Sequence, residues 1–143
     1  MAVKSSTEQN KAVVTRFVEE VWENGNVDAI DTLFTEDSVL HDPTGDVRGR
    51  EAFKTYNERY LAAFPDLQYD IEDMIAEGDR VVFRARMRGT HEGEFMGFEP
   101  TGQRFDAEGI IIARLEDGMI AERWASYDAL GMMRQLGILP DAP

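Results

Sequence analysis

Two histidines occur in the 143-residue chain, and each stands where an imidazole could do chemistry. His91 follows Phe83, Ala85 and Met87 on one side of an alternating stretch, so it can meet a pocket as a neutral base or hydrogen-bond donor, or equally hold the loop that follows. His41 beside Asp42 offers a second imidazole or an Asp-oriented pair, although adjacent strand residues point to opposite faces. Asp128 closes the alternation Ile120, Glu122, Trp124, Ser126, which puts Trp124 and Asp128 on one face. A carboxylate desolvated in an apolar pocket has a raised pKa and suits proton transfer near neutrality, so Asp128 is a candidate acid/base; the alternative is that it caps a helix starting at Ala129. Two imidazoles and a carboxylate can form a facial metal triad, but no HxxE or HxH spacing is present, and neither a metal nor an organic cofactor is expected. Arg84, Arg86 and Arg88 alternate as an anion site would, or as a row paired with acids of neighbouring strands or of a second copy.

These side chains need elements to position them. Ser5 and Glu8 stand at capping-box spacing ahead of Val13, Val14, Phe17, Val18, Val21 and Trp22, a helical repeat running to about Glu23. Asn24-Gly25-Asn26 breaks it, and Asn26 can cap a short second helix that turns Ile30, Leu33 and Phe34 inward. A brief strand, Ser38 to Asp42, stops at the turn Pro43-Thr44-Gly45-Asp46. Phe53, Tyr56, Tyr60, Leu61 and Phe64 mark a third helix from Arg50, ended by Phe64-Pro65-Asp66. The period then falls to 2: Leu67, Tyr69, Ile71 and Asp73 share one face, and Arg80 to His91, Gln103 to Leu115 and Met119 to Asp128 continue an antiparallel meander. Tyr60 and Phe64, with Phe83, Met87 and Trp124, are candidate walls for a bound molecule. The loop Glu92 to Gln103, carrying Phe95, Met96 and Phe98, is a lid or a subunit contact. Leu130, Met132, Met133 and Leu136 form a terminal helix that Gly137 stops.

Composition narrows the classes. Apolar residues make up 43% and aromatics 10%, enough for one packed α+β domain over residues 1–143, with a core from about 10 to 137. Without cysteine there is neither disulfide nor thiolate chemistry. Twenty-eight acids against 15 bases give −13, which disfavours nucleic acid and anionic lipid as partners. The longest apolar run, Ile110 to Ala113, is far short of a membrane span, and the N-terminus reads as no secretory signal, so a cytoplasmic protein is expected. Acid excess with three lysines fits a salt-adapted protein or an ordinary acidic one.

In order and spacing, His41-Asp42-Pro43, Ala63-Phe64-Pro65-Asp66-Leu67, Glu77-Gly78-Asp79, Gly89-Thr90-His91-Glu92-Gly93, Pro100-Thr101-Gly102, Asp117-Gly118-Met119-Ile120 and Gln135-Leu136-Gly137 closely resemble the SnoaL-like polyketide and ester cyclases of the nuclear transport factor 2-like superfamily. The resemblance implies an α+β cone, a strongly curved, mostly antiparallel sheet wrapped around three N-terminal helices, whose mouth leads to an apolar pocket. It also implies cofactor-free aldol ring closure by an Asp acid/base on the last strand, and pairing of two copies, here through the outer face bearing the arginine row. Alignment without gaps from Arg114 to Gly137 places that Asp at Ala125, and the resemblance sets the His that assists it at Ile111, so this chain carries neither group. Asp128 matches an Asp common in the wider family.

Three functions compete. The first is an acid/base enzyme of cyclase, isomerase or dehydratase type acting on a small apolar carbonyl compound, with Asp128 assisted by His91 or His41. The second is a non-catalytic module of the same fold that binds a small molecule. The third, an epoxide hydrolase with an Asp-Arg-Asp arrangement, lacks an Arg facing Asp128.

Overall fold

The computed structural model describes residues 6–139. Its first helix, α1 (Thr7–Phe17), opens with a reciprocal cap in which the Ser6 hydroxyl accepts from Gln9 N–H at 3.1 Å and the Gln9 side chain accepts from Ser6 N–H at 2.9 Å. The box therefore lies one residue beyond the expected Ser5 and Glu8, and Ser5 falls outside the described residues. The helix continues as a π-helical turn, Val18–Glu23, which keeps Val18, Val21 and Trp22 buried. Asn26 precedes a 3-10 turn (Val27–Ala29) and α2 (Ile30–Leu33) but makes no side-chain cap, and Phe34 already belongs to the first strand.

That strand, β1 (Phe34–Asp42), is longer than the sequence suggests and folds back through the two-residue turn Pro43-Thr44 into β2 (Gly45–Arg48). Then follow α3 (Arg50–Ala63), β3 (Gln68–Glu77), β4 (Arg80–Thr90), β5 (Arg104–Glu116), β6 (Met119–Tyr127) and α4 (Ala129–Gln135). The strands form one mixed sheet in the order β2-β1-β6-β5-β4-β3, not a four-strand meander alone. The later four strands do make that meander; β1 adds to it by lying parallel to β6, with Leu40 opposite Arg123 and His41 opposite Trp124.

The helices cover one face of this sheet, and the core fills the space between with Phe17, Phe34, Phe53, Phe64, Phe83 and Ile120, all buried. Two irregularities reset which residues face it. In β3 the register slips between Ile71 and Asp73, so Asp73 leaves the face it was expected to share with Tyr69, and Met74 and Ala76 pack inward. In β6 the ladder runs from Arg114↔Glu122 to Leu115↔Ile120, leaving Ala121 as an extra residue. Ile120 still faces the core, but beyond the bulge Arg123, Ala125 and Tyr127 point in, while Trp124 and Ser126 point out.

On the outer face the arginine row is paired within the chain. Arg84 meets Glu72 at 2.7 Å, Arg86 forks onto Asp106 through two 2.7 Å bonds, and Arg88 meets Asp70 at 2.6 Å. No described helix is long and apolar enough to cross a membrane.

Candidate functional site

The inward side chains beyond the β6 bulge line a small chamber between helices and sheet, about 60 Å³, walled by Trp22, Leu40, Tyr69, Met87, Phe105 and Ile111. Besides Tyr69 on β3, its polar groups come from three elements. Asp42 ends β1, Tyr56 and Tyr60 lie one helical turn apart on α3, and Arg123 and Tyr127 stand on β6. Opposite Tyr127 the partner residue on β5 is Gly109, where a methyl group would come within 2.8 Å of the Tyr127 Cβ, so glycine is what lets this tyrosine seat against β5.

The hydroxyls converge on Asp42. Tyr56 donates to Oδ1 at 3.0 Å, while Oδ2 accepts from Tyr127 at 3.2 Å, from the Thr44 hydroxyl at 2.6 Å and from the Thr44 N–H at 3.1 Å. Tyr60 and Tyr127 hydroxyls lie 3.2 Å apart. A phenol has one proton, and that of Tyr127 goes to Asp42, so Tyr60 is the donor to Tyr127 and the three groups form a directed chain ending on the carboxylate. Burial pushes all three phenols above the usual tyrosine range, the neighbouring phenols adding to it for Tyr56 and Tyr127, and so they stay protonated at neutral pH.

Arg123 is the chamber's cation. It is 6% exposed, and burial lowers its pKa to about 10, which leaves it charged at neutral pH. Its guanidinium carbon lies 4.1 Å from the Phe53 ring centre, 4.9 Å from Phe34 and 5.0 Å from Phe17. Among the described residues it forms no ion pair and no side-chain hydrogen bond; Tyr69, then Tyr56 and Asp42, act on it at longer range.

Tyr56 and Tyr60 also line a larger cleft of about 540 Å³ whose other walls are Thr44, Arg59, Glu94, Phe95, Met96 and Gly97. Here the loop after β4 folds into a tight bridge, Phe95 pairing with Phe98 across Met96 and Gly97, both with positive φ. Phe95 is buried against Tyr60, Phe64 and His91, while Met96 and Phe98 are exposed. Tyr60 thus stands where the cleft meets the chamber.

Several residues singled out by spacing lie elsewhere. Asp128 is exposed and caps α4, accepting from Gly131 N–H at 2.8 Å; the bulge at Ala121 has turned the face it shares with Trp124 outward. Trp124 stacks on His41 with ring centres 5.5 Å apart and takes the Arg80 cation 5.2 Å above its ring, so it does not line the chamber. His41 sits between two carboxylates, Glu122 on Nε2 at 2.7 Å and Asp46 on Nδ1 at 3.0 Å. The Glu122 hydrogen bond, then that to Asp46, raises its pKa, and the His41 bond lowers that of Glu122. His91 is fully buried beyond the end of β4 and accepts from Thr101 N–H at Nδ1, so its proton rests on Nε2, which has no partner among the described residues; it anchors the 91–103 loop. Among the expected walls, Met87 and Tyr60 line the chamber, whereas Phe64 and Phe83 belong to the core behind it. Among the described residues no three His, Asp or Glu side chains are grouped so as to hold a metal ion.

The sequence profile of SnoaL-like polyketide cyclases matches residues 12–136. The chain belongs to the SnoaL-like polyketide cyclase family. It is 34% identical over 102 residues to aklanonic acid methyl ester cyclase DnrD of Streptomyces peucetius, covering 70% of this chain and 68% of that one. A SnoaL-like protein of Jannaschia sp. CCS1 superposes with TM-score 0.86 at 29% identity, over 96% of this chain and 99% of the other. TsrD of Streptomyces laurentii gives 0.85 at 28%, over 95% and 100%.

Two positions that the sequence resemblance set against the cyclase acid/base pair acquire a place in the structure. Ala125 and Ile111 are direct cross-strand partners, and both line the chamber. The chamber wall at these two positions is methyl and sec-butyl. Sequence reasoning passed over Asp42, Tyr56, Arg123 and Tyr127 as working groups. The signal that finds them is the alignment itself: if Ala125 stands at the family's acid/base position, parity delivers Arg123 and Tyr127 to the same side.

Proposed function

We propose that the protein binds a small apolar carbonyl compound in the cleft and chamber, and moves a proton on it without a cofactor, as a cyclase, isomerase or dehydratase does. In this reading the sheet wraps the helices as a cone whose mouth is the cleft, and Asp42, Tyr60 and Tyr127 take the acid/base role that spacing assigned to Asp128, His91 and His41. The observation that carries it is the directed chain Tyr60 to Tyr127 to Asp42, which starts where cleft meets chamber and ends on a buried carboxylate. A proton arriving at the Tyr60 oxygen from substrate sends the Tyr60 proton to Tyr127 and the Tyr127 proton to Asp42. One neutral acid forms and no phenolate is needed, which suits phenols whose ionisation burial disfavours. Size supports a split ligand: about 60 Å³ takes one functional group, and about 540 Å³ takes the ring system behind it.

Exchange of the α-protons of ethyl benzoylacetate in deuterated buffer, followed by proton NMR, tests this. The wild-type protein should exceed the buffer rate, and Tyr127→Phe, which cuts the chain, should lose about a hundredfold of that excess. Ala125 and Ile111, where the family alignment calls for Asp and His, favour a second reading, a binding module without chemistry. Binding of the ester with exchange no faster than buffer would establish that second reading and overturn the first.

A further inference from the structure

The chain holds seven methionines and no cysteine, so any reaction at sulfur falls to a thioether. Met87 and Met132 line the chamber, and Met132 is 4% exposed. Met74 and Met133 pack against the core, and Met119 is half-buried. Met96, at 55%, is the one exposed methionine among the described residues, and it lines the cleft. Its backbone is strained there. Between Phe95 and Phe98, Met96 and Gly97 form a two-residue turn with φ of 52° and 83°, a conformation that suits Asn or Asp ahead of Gly and disfavours a bulky side chain. The hairpin from β5 to β6 shows the ordinary solution, Asp117 with φ 51° ahead of Gly118. The Met96 turn is held from behind, since Phe95 is buried against Tyr60 and Phe64 and His91 anchors the loop. A firm base with a strained tip presents one thioether to the cleft, and strain of this kind points to a use for the side chain. Thr44, Arg59 and Glu94 make much of the cleft wall polar, so beyond its aromatic rings Met96 supplies the apolar lip.

We propose that Met96 is a site of reversible sulfoxidation by hydroperoxides, and that an oxygen placed there switches off the binding of apolar molecules in the cleft. The sulfur lone pair attacks the terminal peroxide oxygen and the O–O bond breaks. The thioether is oxidised to a sulfoxide, and the hydroperoxide is reduced to its alcohol, whose oxygen takes the proton that the transferred oxygen gives up. A polar, chiral S=O then stands where an apolar chain stood; water solvates it in the open cleft, and an apolar ligand has to strip that water. This rests on the cleft taking an apolar body, one half of the reading above, and needs nothing of the proton chain.

Limited treatment of the full chain with tert-butyl hydroperoxide, followed by peptide mapping in a mass spectrometer, gives the rate at each sulfur. Titration with N-phenyl-1-naphthylamine, an uncharged fluorophore, gives the affinity of the cleft. Met96 should oxidise roughly tenfold faster than Met87 and Met132, affinity should fall about fivefold as Met96 is consumed, and methionine sulfoxide reductase should restore it. Met96→Leu should keep its own affinity through the same treatment, and Met96→Gln, with a fixed polar end, should start where the oxidised wild type finishes. Comparable rates at the three sulfurs, unchanged affinity after oxidation, or an equal loss in Met96→Leu each overturns the proposal. A wild-type protein that takes up no fluorophore overturns the cleft reading and this inference together. Absent α-proton exchange beside a fluorophore site that peroxide shuts through Met96 overturns the proton chemistry alone and upholds the role of Met96.

Discussion

Replacing Arg123 by methionine separates a cation kept for binding from one kept for packing. Burial holds the guanidinium at about 10, well below the ordinary arginine range. At about 1.4 kcal/mol for each tenfold, the charged form is roughly 3 kcal/mol less favourable inside than in water. At pH 7 both folded and unfolded chains carry the charge, so the whole penalty is in force; it would be relieved only as pH rises above about 10. Against it stands attraction to three phenyl faces, of which Phe53 at 4.1 Å is nearest, together about 2 kcal/mol or somewhat more for a desolvated cation. The two nearly cancel. Methionine has similar length, needs no counterion and gains about 0.3–1.5 kcal/mol from sulfur against aromatic rings. Arg123→Met should therefore melt at the wild-type temperature or a few degrees above it, since about 1 kcal/mol moves the midpoint of a domain this size by roughly 2–4 °C. Calorimetric melting at pH 7 reads this directly. A fall of more than roughly 5 °C, well over 1 kcal/mol, would mean that the aromatic cage is what the arginine is for.

Other consequences are open to measurement. Because the folded pKa of His41 is raised, its contribution to stability is complete below about 6.5 and is lost as pH rises through the folded value; Glu122→Gln should lower the imidazole midpoint seen by NMR, and an unmoved midpoint would discount the Glu122 bond. Asp128→Ala removes the α4 cap and should cost about 0.5–2 kcal/mol while leaving α-proton exchange untouched; loss of exchange in a folded variant would return Asp128 to the chemistry. A charge of −13 predicts a melting temperature that rises between dilute buffer and molar potassium chloride, and a flat or falling trend would remove the case for salt adaptation. The outer sheet face exposes Ile110 beside Trp124 and the paired arginine row, so light scattering at micromolar concentration should give a dimer; a monomer across moderate salt refutes it.

Periodicity made most elements legible, because amphipathic repeats of 3.6 and 2 are local properties. The hairpin turn at Asp117-Gly118 and the helix face of Phe53, Tyr56 and Tyr60 needed nothing more. What escaped was non-local or one residue wide. A single extra residue, Ala121, decides whether Trp124 or Arg123 faces the chamber, and no side-chain pattern around it announces a bulge. The insertion of β1 beside β6 is a pairing across more than 80 positions, to which local propensity is blind. Asp42 was read through its neighbour His41, yet on a strand the two diverge, and the carboxylate rather than the imidazole enters the chamber.

The β1–β6 pairing also sets an order of events. Asp42 arrives near the start of the chain and Arg123 and Tyr127 near its end, and the parallel ladder between their strands is what brings them together. During synthesis β1 has only β2 to pair with, so its other edge stays open until β6 emerges. Contacts this distant in sequence close late and slow the folding of small domains. The chamber is consequently among the last features to form, and a chain stopped before Met119 would lack the strand that joins β1 and β2 to the rest of the sheet, and with it the site.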